Sequence, residues 1–138
     1  MKKVYRLKLD EIDSIVKDIL AEFTSGVIIL RGDLAAGKTT LVKAFAKRLG
    51  CEELVTSPTF SLQQCYGEDI YHYDIYNHGV EHFIALGMLE ELDKEGLHFI
   101  EWGDDALIEL LESVGIDVIV IDIEKISDKA REYRICTH

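Results

Sequence analysis

Gly32-Asp33-Leu34-Ala35-Ala36-Gly37-Lys38-Thr39 has the form G-x-x-x-x-G-K-[ST]. Residues of these types at this spacing cradle a polyphosphate. Successive backbone N–H groups wrap the β-phosphate, and the helix opened by the motif offers its positive end to the same charge. Gly32 and Gly37 permit backbone angles and a close approach that a Cβ would block. Lys38 places an ammonium at the β- and γ-phosphates, and the Thr39 hydroxyl is of the type that ligates Mg²⁺. A chance match in a chain of this length has a probability on the order of 0.5%. The context lowers it further, because the motif follows the apolar run Val27–Leu30 and precedes an amphipathic stretch.

A phosphate loop also needs an acidic residue at the end of a neighbouring strand to hold the metal. Three candidates close apolar or alternating runs: Asp74 after Ile70–Tyr73, Glu101 after Leu97–Ile100, and Asp122 after Val118–Ile121. Asp122 has the best apolar run, but its strand continues through Ile123 into a polar turn, where carboxylates are usually solvated. His72, Asp74 and Tyr76 share one strand face by the period of two. Thr56-Ser57-Pro58-Thr59-Phe60 reads equally as a polar turn or as a switch loop whose Thr reaches the γ-phosphate or metal. No N-K-x-D guanine reader is present, so adenine is favoured by default. Asp93-Lys94-Glu95-Gly96 spells D-x-x-G, but in a polar turn before a strand rather than after one.

The elements that must position these groups follow from periodicity. Residues 4–9 alternate as a half-buried strand. Ile12 to Phe23 recur at helical spacing with Asp10 as N-cap. Val27–Leu30 suits a strand covered on both faces. Leu41 to Leu49 is a second helix, closed by Gly50. Strands are expected over 59–65 and 69–76 around Gly67-Glu68, a helical stretch over 80–92, a strand over 97–100, and a helix over 104–114 stopped at Gly115. A terminal hairpin over 117–124 and 131–137 completes the chain. This pattern predicts an α/β fold: a single P-loop NTPase-like domain over residues 1–138, with a mixed central sheet flanked by helices.

Composition bounds the partners. The chain has 138 residues, 48% of them apolar, which suffices for a core without disulfide or metal staples. Its formal net charge of −11 repels nucleic-acid backbones, so unaided binding to DNA or RNA is not expected. No apolar run approaches a membrane span. Asp10, Glu11 and Asp13 stand where a signal peptide would be apolar, so a cytoplasmic protein is expected. Cys51, Cys65 and Cys136 form no C-x-x-C pair and read as reduced thiols.

Together the segments resemble a known family, the bacterial TsaE ATPases of tRNA threonylcarbamoyladenosine (t6A) biosynthesis. The resemblance rests on Gly32-Asp33-Leu34 through Gly37-Lys38-Thr39-Thr40-Leu41, Thr56-Ser57-Pro58-Thr59-Phe60, His72-x-Asp74-x-Tyr76 and Glu101-Trp102, in the family's order. It implies a site for ATP or ADP with Mg²⁺. Lys38, Asp74 and Glu101 would be the catalytic set, and Thr39 and Glu101 would serve the metal. Glu11, Gly32, Leu34, Ala35, Ala36, Gly37, Lys38, Thr39, Thr40, Asp74 and Arg131 would contact the nucleotide. Thr56, Ser57, Pro58 and Thr59 would form the switch-like loop, and Trp102 a large apolar anchor. The resemblance also implies a weak, partner-activated ATPase that assists a TsaD–TsaB complex. A small-molecule P-loop kinase and a nucleotide-sensing switch are the rival readings. Two positions depart from the family pattern: Ala35 stands where Gly is usual, and Asn77 where Arg is usual.

Overall fold

The computed structural model describes residues 2–33, 36–51, 63–67, 69–75, 81, 84 and 87–137, with Met88 described by its backbone alone. Seven strands are β1 (Lys2–Lys8), β2 (Gly26–Arg31), β3 (Gln63–Tyr66), β4 (Ile70–Asp74), β5 (Leu97–Glu101), β6 (Val118–Lys125) and β7 (Ala130–Thr137). Among the described residues, the helices with described bounds are α1 (Asp13–Leu20), α2 (Lys38–Arg48), α3 (Met88–Glu91) and α4 (Asp105–Ser113). The strands form one sheet in the order β1-β7-β6-β2-β5-β4-β3.

Its centre is parallel: β2 pairs with β5 and with β6, and β4 pairs with β5. The edges are antiparallel, through β3–β4 on one side and β6–β7–β1 on the other. Four strands therefore end at one edge, where open α/β sheets bind ligands. Val27, Ile28, Ile29 and Leu30 are all at 0% exposure, as an apolar run in a central strand requires. The register sets Glu101 beside Leu30 on β2 and beside Asp74 on β4.

Two apolar layers hold the sheet. On one face, Ile15, Val16 and Ile19 of α1 and Leu41, Val42 and Phe45 of α2 cover Ile28, Leu30, Phe99 and Ile121. On the other, Leu107, Ile108 and Leu111 of α4 cover Val27, Ile29, Ile100 and Val120. The Phe45 and Phe99 rings meet at 5.0 Å, tilted by 52°, and tie α2 to β5. That contact matters to the site, because α2 carries Lys38 and Thr39 at one end while β5 carries Glu101.

The expected elements form, with shifted bounds. Asp10 is not a helix cap: it lies in a 3₁₀ turn, Leu9–Glu11, and α1 starts later, at Asp13. Glu11 takes the local capping role instead, accepting the Lys8 N–H at 2.9 Å. The second helix starts at Lys38, three residues before its apolar periodicity, because the phosphate loop itself opens it. Asp104 caps α4 by accepting the Leu107 N–H at 3.0 Å. Glu81 and Ile84 are helical within the expected 80–92 stretch.

His98 is buried beneath the second layer. Its Nδ1 accepts the Tyr73 hydroxyl at 2.8 Å, its Nε2–H donates to the Lys94 carbonyl at 2.8 Å, and Tyr71 stacks on its ring at 4.4 Å. Burial pulls its pKa below the ordinary value of 6.5, only partly opposed by the Lys94 carbonyl and Glu91. The unfolded chain therefore binds a proton here that the folded chain resists.

Two outcomes follow from this packing. Phe99→Ala should cost about 3–5 kcal/mol, read from urea unfolding at constant m-value, because the ring sits between helix and sheet with no room to relax. Stability should fall as pH drops below about 6.5, the unfolded value for His98, and be regained above it. Urea midpoints measured from about pH 7.5 to 5.5 should slope in the wild type and flatten in His98→Asn, itself less stable throughout.

Candidate functional site

The loop between β2 and α2 is bent by two glycines. Gly32 has φ +154, and a Cβ on it would lie 2.5 Å from the Ile123 carbonyl oxygen. Only glycine lets the loop lie this close to β6. Gly37, at φ +110, occupies the N-cap position of α2 in a left-handed conformation.

Lys38 is one of four buried polar or charged side chains among the described residues, with His72, His98 and Glu101. Its ammonium folds back over the loop, donating to the carbonyls of Gly32 at 2.7 Å and Asp33 at 3.0 Å. The Trp102 ring lies beneath it, 3.9 Å from the nitrogen. Burial pulls its pKa below the ordinary lysine value, while Glu101, Asp74 and Asp33 pull it back up. The charge is thus poised among acceptors that an anion can replace.

Glu101 closes β5 at 4% exposure. Its Oε2 accepts the Thr39 hydroxyl at 3.0 Å and meets His72 Nε2 at 2.5 Å. Tyr66 and His72 Nδ1 lie 3.1 Å apart on the far side of the ring. The chain then turns sharply: Trp102 has φ +71, the only positive φ outside glycine among the described residues. Its N–H donates to the Leu30 carbonyl at 3.2 Å, which holds the turn. That turn places the indole under Lys38, so Trp102 is an apolar anchor on the α4 layer and also a partner of the cation.

Arg131 reaches the loop from β7, donating from Nε to the Ala36 carbonyl at 3.1 Å and from Nη1 to the Ser127 carbonyl at 3.1 Å. Glu11 sits in the turn before α1, next to a groove of about 760 Å³. Leu9, Asp10 and Ile12 line one wall of that groove and Thr40, Lys43 and Lys47 the other. The fold therefore gathers Gly32, Ala36, Gly37, Lys38, Thr39, Thr40, Asp74, Glu101 and Arg131 around one sheet edge. Leu34, Ala35, Thr56, Ser57, Pro58 and Thr59 lie outside the described residues, as do Tyr76 and Asn77.

Asp122 is not the solvated hairpin carboxylate that its neighbours suggested. It is half-buried on β6 opposite Arg31, which grips it through Nε at 2.8 Å and Nη2 at 3.2 Å. Arg31 also bonds Asp105 at 2.9 Å. Nothing local marks this pair, because the partners are 91 residues apart. His72 is fully buried and is bonded to the candidate metal carboxylate. Its alternation with Asp74 was the available signal.

Oxygen donors at Thr39 and Glu101 suit a hard cation such as Mg²⁺, which takes few protein ligands and completes its shell with phosphate and water. Among the described residues no group of three or more His, Cys, Asp or Glu could hold a metal unaided.

The family described as threonylcarbamoyl adenosine biosynthesis protein TsaE matches residues 5–133. The Treponema pallidum protein named tRNA threonylcarbamoyladenosine biosynthesis protein TsaE is 38% identical over 112 residues, covering 79% of this chain and 80% of its own length. The Bacillus subtilis protein of the same name is 38% identical over 109 residues, covering 77% and 66%. The Aquifex aeolicus one is 37% identical over 116 residues, covering 80% and 77%. A crystal structure of Bacillus subtilis YdiB superposes with a TM-score of 0.69 at 29% identity, over 98% of this chain and 84% of that one.

Proposed function

The chain belongs to the TsaE family, and from that premise we propose that it is an ATP-binding and ATP-hydrolysing cytoplasmic subunit of t6A formation on tRNA, acting with TsaD and TsaB. The observation that carries the reading is the convergence of Lys38, Thr39 and Glu101 at the carboxyl edge of the parallel strands. The family name places the chain in t6A biosynthesis, and this convergence supplies a nucleotide chemistry to go with it.

Each group has a task in that reading. The loop N–H groups and the start of α2 bind the phosphates, and Lys38 exchanges the Gly32 and Asp33 carbonyls for phosphate oxygens. Thr39 and Glu101 hold Mg²⁺, which when bound neutralises charge on the β- and γ-phosphates. Asp74, adjacent to Glu101 in register, faces the phosphate end and orients water there. The groove between the turn at Glu11 and α2 begins beside Thr40 and takes the nucleoside. Arg131 braces the loop through the Ala36 carbonyl.

The arginines argue against a small-molecule kinase, which needs them for the transition state. Arg6 pairs with Glu132, Arg31 with Asp122 and Asp105, Arg48 with Asp13, and Arg134 with Glu124 and Glu132. Arg131 donates to the backbone carbonyls of Ala36, Ser127 and Ala130. The net charge of −11 fits a chain that meets a protein partner rather than tRNA alone. No helix among the described residues is long and apolar enough to cross a membrane.

Lys38→Ala should abolish ATP-dependent function while the protein stays folded, since the side chain contacts loop backbone and the Trp102 ring rather than the apolar core. Wild-type ATP hydrolysis by a folded Lys38→Ala protein would overturn the assignment. Glu101→Gln and Asp74→Asn should each weaken Mg²⁺-dependent nucleotide turnover, and Asp122→Asn should leave it near wild type because that carboxylate serves Arg31. Single-turnover assays of the four proteins side by side check the ranking. With no arginine in a recognisable finger position, the isolated wild type should hydrolyse ATP more slowly than roughly 1 s⁻¹, and addition of TsaD and TsaB should accelerate it. Binding without any turnover, with or without those partners, would favour a nucleotide-sensing switch.

A further inference from the structure

Both nitrogens of His72 are engaged although the residue is at 0% exposure and carries no part of the chemistry described so far. Its Nε2 faces a carboxylate oxygen, which in its ionised form only accepts. With Glu101 in that form, Nε2 holds the proton and donates to it. In the neutral ring Nδ1 is then a bare acceptor, and it takes the hydroxyl proton of Tyr66, itself at 1% exposure. The order of donation runs one way: Tyr66 O–H to His72 Nδ1, then His72 Nε2–H to Glu101 Oε2.

The two donors on Glu101 are not equivalent. Thr39 is the hydroxyl assigned to the metal in the proposed reading, so its oxygen has a second claimant once a metal–nucleotide arrives. His72 has none. It projects from β4, which pairs with β5 along its whole length, and β3 carries Tyr66 against it. A buried carboxylate that loses a donor pays the desolvation of that oxygen or turns away to recover a partner.

We propose that His72 is a positioning residue that, oriented by Tyr66, holds the Glu101 carboxylate in place and so sets how strongly Mg²⁺ enhances nucleotide binding. The inference rests on the Mg²⁺–nucleotide reading of Thr39 and Glu101. It assigns His72 no contact with nucleotide or metal. Partners of this kind, acting through a ligand, typically change metal affinity by 10–100-fold.

The test is calorimetric titration of the full chain with ADP, once with MgCl₂ and once with EDTA, for wild type, His72→Phe, His72→Gln and Tyr66→Phe. Wild type should bind ADP more tightly with Mg²⁺. His72→Phe should lose about tenfold or more of that enhancement with its EDTA affinity little changed. His72→Gln, whose amide N–H can replace Nε2–H, should recover most of the loss, and Tyr66→Phe should show a smaller loss in the same direction. An unaltered enhancement in folded His72→Phe overturns the proposal, as does an equal loss with and without Mg²⁺, which marks a purely structural role. If His72→Phe does not fold, Tyr66→Phe and the imidazole ¹⁵N spectrum of wild type decide: a proton on Nε2 is expected, and a bare Nε2 overturns the scheme. Failure of the underlying reading looks different, since wild type itself would then bind ADP equally in both buffers.

Discussion

A carboxylate buried at the end of a fully buried strand is the constraint on which this structure turns. Glu101 has 4% of its surface exposed, and β5 leading to it is buried at every position. A charge so placed survives only with partners of good geometry. The fold supplies a hydroxyl from the first turn of α2, an imidazole from β4, and the field of the Lys38 ammonium nearby. Each partner fixes a different element relative to β5. The requirements of one side chain therefore lock together the loop, the second helix and the neighbouring strand.

Much of this was legible in the sequence because it is local. The G-x-x-x-x-G-K-T spacing lies within eight residues, and the apolar run before it suits a strand covered on both faces. The terminal hairpin around the polar turn was equally plain, since alternation and turn residues sit side by side. Register was not legible. That Asp74 neighbours Glu101, that His72 reaches it, and that Asp122 is gripped by Arg31 all depend on how distant strands align. A one-residue slip would move each of these side chains to the opposite face. Asp10 failed as a helix cap for a subtler reason: Glu11, one residue on, folds back to the Lys8 N–H and starts a 3₁₀ turn first.

The two buried histidines show how neighbours of one strand pair acquire different characters. His72 lies on the face covered by α1 and α2 and meets a carboxylate, whereas His98 lies on the opposite face and meets a tyrosine hydroxyl and a backbone carbonyl. Both are satisfied at each nitrogen and both are anchored by a tyrosine from the β3–β4 hairpin. Only the polarity at Nε2 differs. A carbonyl there stabilises the fold and nothing more, but a carboxylate there hands the hairpin's rigidity to a group at the ligand edge. The alternation of β4 thus separates a structural network from a site network within two consecutive tyrosine–histidine pairings.

The net charge and the phosphate loop are reconciled by distance. A formal charge of −11 is spread over the whole surface, and at physiological salt its field on an exposed ligand decays over about 8 Å. Inside the loop, Lys38 is buried, screened little, and donates to the Gly32 and Asp33 carbonyls. In the proposed reading, local attraction of the phosphates there outweighs the diffuse repulsion. The surface carboxylates then act on larger partners: they oppose a naked nucleic acid, whose charge extends beyond any single pocket, and favour a protein surface that carries the complementary sign. In the proposed reading, a small acidic chain binds a highly charged small molecule in this way and approaches RNA through a protein partner.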